Sequence, residues 1–203
     1  MKLFEEGRAP NPRRVRIFLA EKGVEIERVQ VDINEKAHLT EEMLRLNPMG
    51  RLPFLLLDDG RVIAETIAIC RYFEELKPEP PLFGTDAFDK AAVEMWQRRV
   101  EQRLLDPVSH AFRHTNPKMA PLEQPQFPEW GAANREKAAW MLNFLNRELA
   151  QRPFIAGDKF SVADITTLVA VDFMKLAKLA LTDDHLQLKD WHERVSSRPS
   201  AKA

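Results

Sequence analysis

The 203-residue chain has little of several residue types on which whole classes of protein depend. Its single cysteine excludes an intrachain disulfide and any Cys-x-x-Cys redox pair, and such usage is typical of a cytoplasmic protein. The five histidines show no metal-ligand spacing, so we expect no metal site. Neither a Gly-x-Ser-x-Gly motif nor a glycine-rich phosphate loop occurs, which leaves hydrolase and nucleotide-binding folds without support.

An excess of one charge sign and long apolar runs are also absent. The 30 basic and 31 acidic side chains give a formal net charge of −1, which argues against nucleic acid or an anionic membrane as the main partner. No run approaches the roughly 18 apolar residues of a membrane span, and the N-terminal MKLFEEGRAP lacks the apolar centre of a secretory signal. We therefore expect a cytoplasmic globular protein.

Strand and helix patterns alternate over residues 1–77, in the order β-α-β-α-β-β-α. After the short strand KLFE, Asn11 is a favourable N-cap residue with Pro12 at the first helical position. The segment EIERVQVDI alternates apolar and polar residues as a half-buried strand does. PFLLLDDGRVIAE predicts a hairpin, and TIAICRYFEEL predicts the last helix of this α/β domain.

Only helical periodicity follows the proline-rich linker at residues 78–85, so residues 86–203 are predicted to form an all-helical domain. Apolar residues recur every three or four positions from Val93 to Phe112, which predicts one long helix bent at Pro107. Ser161 and Asp164 resemble a capping box at the start of a helix that is apolar nearly all round. We expect that helix to be central and buried.

Four segments in this order resemble the cytosolic glutathione S-transferase superfamily over essentially the whole chain: APNPRRVRIFLAEKG, NPMGRLPFLLLDDG, AETIAICRYFEEL and FIAGDKFSVADI. The resemblance implies a thioredoxin-like N-terminal domain that binds glutathione as co-substrate. It also implies an all-helical C-terminal domain that forms the pocket for a small electrophile, and a homodimer.

The resemblance assigns glutathione contacts residue by residue. The proline of RLP, Pro53, has a cis peptide bond in such proteins, so that Leu52 can pair with the cysteinyl backbone like an added strand. Glu65 and Thr66 match the family's pair of an acid and a hydroxyl, which hold the ammonium and carboxylate of the γ-glutamyl group. The alternative is that Pro53 is an ordinary proline at the start of a strand and that Glu65 and Thr66 only cap a helix. In that case none of the three residues would bind a ligand.

The glycyl carboxylate of glutathione has three candidate partners. Arg51 can pair with it directly, and Lys36 and His38 lie in a loop that can reach the same end of the ligand. Solvated loop side chains are an equally good account of Lys36 and His38.

The residue that usually activates the thiol is missing from this sequence. Ala9 stands where serine-type relatives carry a hydroxyl, which resembles nu-type proteins and an atypical bacterial and fungal branch without the usual Tyr, Ser or Cys. The remaining candidates are the N-terminus of the first helix with the Asn11 amide, and Ser109 with His110 and His114 nearby. Asn11 is also explained as a simple cap.

Three functions follow from the resemblance. The first is a glutathione S-transferase that conjugates glutathione to small electrophiles. The second is a glutathione-dependent peroxidase or disulfide reductase, as the nu-type likeness suggests. The third is a non-catalytic interaction protein with the same fold, which the matches at Pro53, Glu65 and Thr66 disfavour, because such a protein has no need of a glutathione site.

Overall fold

The computed structural model describes residues 1–203, the whole sequence, as two compact units. Met1–Pro81 and Lys202–Ala203 form the first unit, and Leu82–Ala201 form the second. The division falls within the linker that the sequence predicts at residues 78–85. None of the helices combines the length and the apolar character that crossing a membrane requires.

The first unit contains the predicted order of strands and helices. Its elements are β1 (Lys2–Glu5), α1 (Pro10–Lys22), β2 (Glu27–Gln30), α2 (Glu41–Leu46), β3 (Phe54–Leu56), β4 (Val62–Ala64) and α3 (Thr66–Leu76). A 3₁₀ turn at Ala37–Leu39 precedes α2. The second strand is shorter than its alternating pattern suggested, since only Glu27–Gln30 pair with β1.

The four strands form one mixed sheet in the order β2-β1-β3-β4. β1 is parallel to β2, whereas β1 with β3 and β3 with β4 are antiparallel. Phe4 lies opposite Phe54, and Phe54 lies opposite Ala64, with the two phenylalanine rings stacked at a centroid distance of 4.6 Å. The end of β1, the start of β3 and the end of β4 therefore lie at the same end of the sheet.

The first helix begins two residues earlier than the sequence suggested. Ala9, with extended backbone angles, is the N-cap of α1, and Pro10 is its first residue, so the prediction of Asn11 as N-cap and Pro12 as first residue is wrong. The first N–H groups of a helix have no intrahelical acceptor, so a proline anywhere in the first turn costs no hydrogen bond. The two prolines therefore did not distinguish the two starting points.

The second unit is all helical, as predicted. Its helices are α4 (Ala87–Val100), α5 (Asp106–Thr115), α6 (Pro128–Glu148), α7 (Val162–Phe173) and α8 (Leu186–Ser196). Every residue of α7 from Val162 to Val171 is buried, which confirms this helix as the predicted central one.

The predicted long helix is interrupted rather than simply bent. A π-helical turn, Glu101–Leu105, separates α4 from α5, and Pro107 follows as the second residue of α5. Proline lacks the N–H that would bond the carbonyl of Arg103, so the regular pattern fails one turn before the proline. The irregularity therefore lies where the missing donor would have acted.

Asp164 holds the start of the buried helix through several hydrogen bonds. One carboxylate oxygen accepts from the Ile155 N–H and the Trp191 indole N–H, each at 2.9 Å. The other accepts from the Ser161 N–H and hydroxyl, each at 3.0 Å. The structural role predicted for Ser161 and Asp164 is confirmed. Burial is the main cause that raises the pKa of Asp164 from 3.8 to about 6, against these hydrogen bonds, which lower it.

We expect Asp164→Asn to destabilise the second unit. The amide NH₂ then faces two donors of Ser161, and buried donors without acceptors cost about 1–3 kcal/mol each. Urea unfolding at neutral pH, followed by tryptophan fluorescence, measures the loss. Asp158→Asn, an exposed aspartate in the same segment, is the matched control and should change the unfolding free energy by less than about 0.5 kcal/mol. Equal losses in the two variants would contradict the role of Asp164.

The difference in unfolding free energy between wild type and Asp164→Asn should depend on pH, because the pKa of Asp164 is raised. Between 3.8 and about 6 the folded state binds the Asp164 proton more tightly than the unfolded state does. Stability conferred by this proton is complete below 3.8 and is lost as pH rises through about 6. The advantage of wild type over Asp164→Asn should therefore shrink across this window, at up to about 1.4 kcal/mol per pH unit. An advantage that stays constant or grows across the window would contradict the assignment.

Candidate active site

The segment before β3 presents unused backbone groups at the end of the sheet. The Leu52–Pro53 peptide is cis, as expected, and Pro53 is buried. Ladder pairing with β1 and β4 begins only at Phe54, and no other part of the protein bonds the Leu52 N–H or C=O. An extended ligand backbone can therefore add to the sheet at Leu52.

The N-terminus of α3 is open at the same end of the sheet. Glu65 precedes the helix with φ 68° and ψ 123°, a conformation that non-glycine residues rarely adopt and that concentrates at functional sites. Its exposed side chain makes no capping hydrogen bond. Thr66 is buried at 7% exposure, and its hydroxyl has no partner within the protein. Together with the first N–H groups of α3, this hydroxyl can bind a carboxylate.

Two of the three predicted basic residues are close together. Burial, followed by the nearby charge of Arg51, lowers the pKa of His38 below its usual value of 6.5. The Nδ1 atom of His38 is buried without a hydrogen-bond partner. Arg51 and Lys36 are exposed, and neither forms an ion pair. No contact joins Lys36 to the other two residues, so its place in the cluster rests on the sequence.

Asn47 supports this cluster and was not among the residues predicted for the site. It is buried at 4% exposure, and its amide N–H₂ donates to the Arg51 carbonyl at 2.8 Å. Its side-chain oxygen accepts from the Met49 N–H at 3.3 Å. In the sequence Asn47 is only a residue before a proline, which is too common a pattern to indicate a role in holding Arg51.

The first turn of α1 exposes a single backbone donor. Pro10 and Pro12 have no N–H, and the Arg13 N–H bonds the Ala9 carbonyl at 3.4 Å. The N–H of Asn11 is therefore the only unpaired one in this turn. The Asn11 side-chain oxygen accepts from Arg14 at 3.2 Å, which leaves the side-chain NH₂ free to donate. Ala9 has no side chain that could cap this turn, so two donors of one exposed residue are open to a ligand or to water.

The histidines on α5 differ in their surroundings. His114 is buried, its Nδ1 accepts from the Phe127 N–H at 3.2 Å, and its Nε2 lies 3.8 Å from a Glu123 carboxylate oxygen. This imidazole therefore stabilises the segment before α6. His110 contacts the rings of His114 and Trp130, at centroid distances of 6.2 and 6.1 Å.

Ser109 is half-buried on α5, and its hydroxyl makes no hydrogen bond within the protein. Helical serines commonly bond a carbonyl one turn back, so a free hydroxyl here keeps Ser109 available to a ligand or a water molecule. It belongs to the second unit, whereas the other predicted site residues belong to the first.

Sheet register places the proposed contacts of the first unit at one end. Leu52 and Pro53 precede β3, Glu65 and Thr66 follow β4, and the turn before α1 follows β1. No group of three or more His, Cys, Asp or Glu side chains is arranged to hold a metal ion. The arrangement offers separate donors for two carboxylates and an unpaired backbone segment between them, as a short acidic peptide requires.

Comparison with known proteins connects these features to a family. Residues 9–76 match the profile "Glutathione S-transferase, N-terminal domain", and residues 109–199 match "Glutathione S-transferase, C-terminal domain". Glutathione S-transferase 2 of Saccharomyces cerevisiae is 38% identical over 205 residues, covering 100% of this chain and 88% of the yeast protein.

Solved structures agree with the sequence matches. The crystal structure of Gtt2 from Saccharomyces cerevisiae superimposes with a TM-score of 0.95 at 38% identity, covering 100% of this chain and 99% of that one. A Gtt2-class glutathione S-transferase of Vibrio parahaemolyticus gives a TM-score of 0.88 at 34% identity, covering 100% and 96%.

Proposed function

The chain belongs to the glutathione S-transferase family, and we propose that it binds glutathione at the end of the sheet where β1 ends, β3 begins and β4 ends. It is a glutathione S-transferase enzyme with the thioredoxin-like and all-helical units of that family. Glutathione is its co-substrate, and an electrophile is the second substrate. The observation that carries the proposed location is the convergence of unpaired polar groups at this one end of the sheet.

Each part of glutathione has a proposed partner. The cysteinyl backbone pairs with Leu52 beside Pro53. The γ-glutamyl carboxylate binds the Thr66 hydroxyl and the N-terminus of α3, and Glu65 receives the ammonium group. The glycyl carboxylate binds the cationic side chains of Arg51 and Lys36 and the imidazole of His38. The unpaired state of the Thr66 hydroxyl and the proximity of Arg51 to His38 support this assignment.

We expect Thr66→Ala to weaken glutathione binding by about 1–3 kcal/mol, the range for a hydrogen bond to a charged group. Thr66→Ser keeps the hydroxyl at the helix start and should retain most of the affinity. Isothermal titration calorimetry with glutathione measures both changes. Equal affinity of wild type and Thr66→Ala would remove the γ-glutamyl contact from the proposal.

Activation of the thiol is proposed to rest on Asn11. Lowering the pKa of the thiol by two units requires about 2.7 kcal/mol of preferential stabilisation of the thiolate. The Asn11 N–H and side-chain NH₂ supply two hydrogen bonds, and the N-terminus of α1 adds partial positive charge. Ala9 supplies no hydroxyl, and this absence supports the proposal that the protein belongs to the atypical branch without the usual catalytic side chain. Ser109 is the alternative donor.

We expect Asn11→Ala to raise the pKa of the bound thiol, because one donor to the thiolate is lost. Asn11→Asp should raise it further, since it places a carboxylate beside the thiolate while the bond to Arg14 persists. The thiolate absorbance of bound glutathione at about 240 nm reports both shifts. Ser109→Ala is the counter-variant. A raised thiol pKa in that variant alone would transfer the activating role to Ser109.

The single cysteine favours conjugation of glutathione over a reduction that uses a thiol of the protein itself. Cys70 is 1% exposed in the middle of α3, so it has no access to a disulfide or peroxide substrate. The electrophile pocket is proposed to lie on the second unit, with half-buried Ser109 and Phe112 on α5 among its candidate lining residues. A cytoplasmic location agrees with the family and with the low cysteine usage.

A homodimer is proposed from the family and from the surface of α4. Phe88 is 83% exposed and Met95 is 42% exposed, and their spacing of seven places both on one face of the helix. Large exposed apolar side chains on one face mark interaction surfaces. A symmetric contact through α4 would bury them in both copies.

We expect Phe88→Asp to shift the protein towards monomer, because an apolar contact is replaced by a buried charge in both copies. Light scattering should give twice the chain mass of 23.4 kDa for wild type and a lower mass for the variant. Leu186→Asp changes a 61% exposed leucine on α8 and serves as the control, with no expected change in mass. A wild-type mass of one chain at micromolar concentration would end the proposal.

A further inference from the structure

The loop between β1 and α1 is held by side chains from outside the loop. The Gly7 N–H donates to the Gln30 side-chain oxygen at 3.0 Å, and the Gly7 carbonyl accepts from the Arg16 guanidinium at 2.9 Å. Gln30 is the last residue of β2, and Arg16 lies in the second turn of α1. Both polar groups of one loop peptide segment are therefore fixed from two different elements.

Glu5 connects the two side chains that hold Gly7. It is the last residue of β1 and is 1% exposed. Its carboxylate accepts from Arg16 at 2.7 Å and from the Gln30 amide at 2.9 Å. Glu5, Arg16, Gln30 and Gly7 thus form a closed ring of hydrogen bonds, which we call the Gly7 network. The amide of Gln30 has one orientation that satisfies both its partners.

The contribution of the Gly7 network to the free energy of unfolding does not by itself explain why these side chains are arranged in this way. The Arg16 side chain is 9% exposed and that of Glu5 is 1% exposed, so both charges are largely removed from water. The desolvation of a buried ion pair offsets most of the attraction between its members, and apolar residues of the same volume are often as stabilising. What these side chains supply, and apolar ones do not, is a fixed position for the Gly7 backbone.

The loop has few other restraints. The Ala9 N–H bonds the Glu6 carbonyl at 3.1 Å and closes a turn, but Ala9 contributes no side-chain cap. Glu6, whose side chain is 11% exposed, also accepts from the Arg8 N–H at 3.0 Å and pairs with the 78% exposed Arg8 side chain, but both contacts lie within the loop and do not tie it to β2 or α1. The Gly7 network is therefore the set of bonds that ties the exposed Gly7 backbone, through buried Glu5, to β2 and α1.

From this geometry we infer that Arg16 and Gln30, joined through Glu5, are positioning residues for the thiolate site. The inference rests on the proposed function, in which Asn11 in the first turn of α1 stabilises the thiolate. The network fixes the end of β1 and the following loop against α1, so the Asn11 donors keep a constant place relative to the end of the sheet. A displacement of about 1 Å at such a site can lower a rate by a large factor.

Arg16→Lys tests the inference with the charge retained. Lysine can pair with Glu5, but it lacks the planar fork that also reaches the Gly7 carbonyl. We expect the pKa of bound glutathione thiol to rise by about half a unit and kcat/KM to fall roughly threefold below that pKa, with KM for glutathione changed less than about twofold. The rate deficit should narrow at higher pH, where the thiol ionises in both proteins.

Gln30→Met provides a second variant, since exposed Gln30 can be replaced without opening the core. It removes both Gln30 hydrogen bonds at similar volume and should shift the thiol pKa in the same direction. Arg28→Gln is the matched control, because Arg28 approaches Glu5 only to 4.0 Å, is 54% exposed, and makes no contact with Gly7. We expect its pH profile to match that of wild type.

The outcomes separate this inference from the activation proposal. If Asn11→Ala raises the thiol pKa while Arg16→Lys and Gln30→Met lower only the thermal midpoint, the network is structural and the inference is overturned. If Asn11→Ala leaves the thiol pKa unchanged, the activation proposal itself fails, and the inference fails with it. A raised pKa in Asn11→Ala and both network variants, with Arg28→Gln unchanged, supports the positioning role.

Discussion

Strand register is the constraint on which the proposed site depends. Phe4, Phe54 and Ala64 are aligned across β1, β3 and β4, with the two phenylalanine rings stacked. A shift of one residue in any pairing would turn these side chains to the other face and would expose part of the core. The same alignment brings the segments after β1, before β3 and after β4 to one end. Packing of the core therefore fixes the distances between groups that are far apart in the sequence.

The helices of the first unit start in two different ways, with or without a side-chain cap. α2 begins at a conventional cap, in which the Thr40 hydroxyl accepts from the Met43 N–H. α1 and α3 begin at Ala9 and Glu65, neither of which makes a side-chain capping bond. Unpaired donors at a helix start are favourable only where water or a ligand satisfies them. The two helices of the first unit that start at the proposed glutathione site are the two that lack a side-chain cap, so their first donors are open to water or to a ligand.

Much of this arrangement could be predicted from the sequence, but not the start of α1. Apolar periodicity and the turn residues gave the element order of both units, and the run of apolar residues after Ser161 predicted the buried helix α7. The prediction of Asn11 as N-cap was wrong because prolines in the first turn are compatible with a start at either Ala9 or Asn11. The consequence is chemical: Asn11 lies within the helix, where its N–H is free, instead of capping the helix from outside.

The sequence by itself was enough to predict the family and the two-part fold, and it supplied the residues proposed to bind glutathione, because these follow from local patterns and ordered motifs. Tertiary structure alone decided which polar residues are removed from water. Lys22 is the last residue of α1, a position in which a lysine is usually solvated. In the structure it is 1% exposed and binds Glu74 and the carbonyls of Pro78 and Pro80. Glu5 likewise becomes the centre of a buried network only when β2 and α1 pack beside it. Such roles depend on partners distant in the chain, and a local pattern contains no information about them.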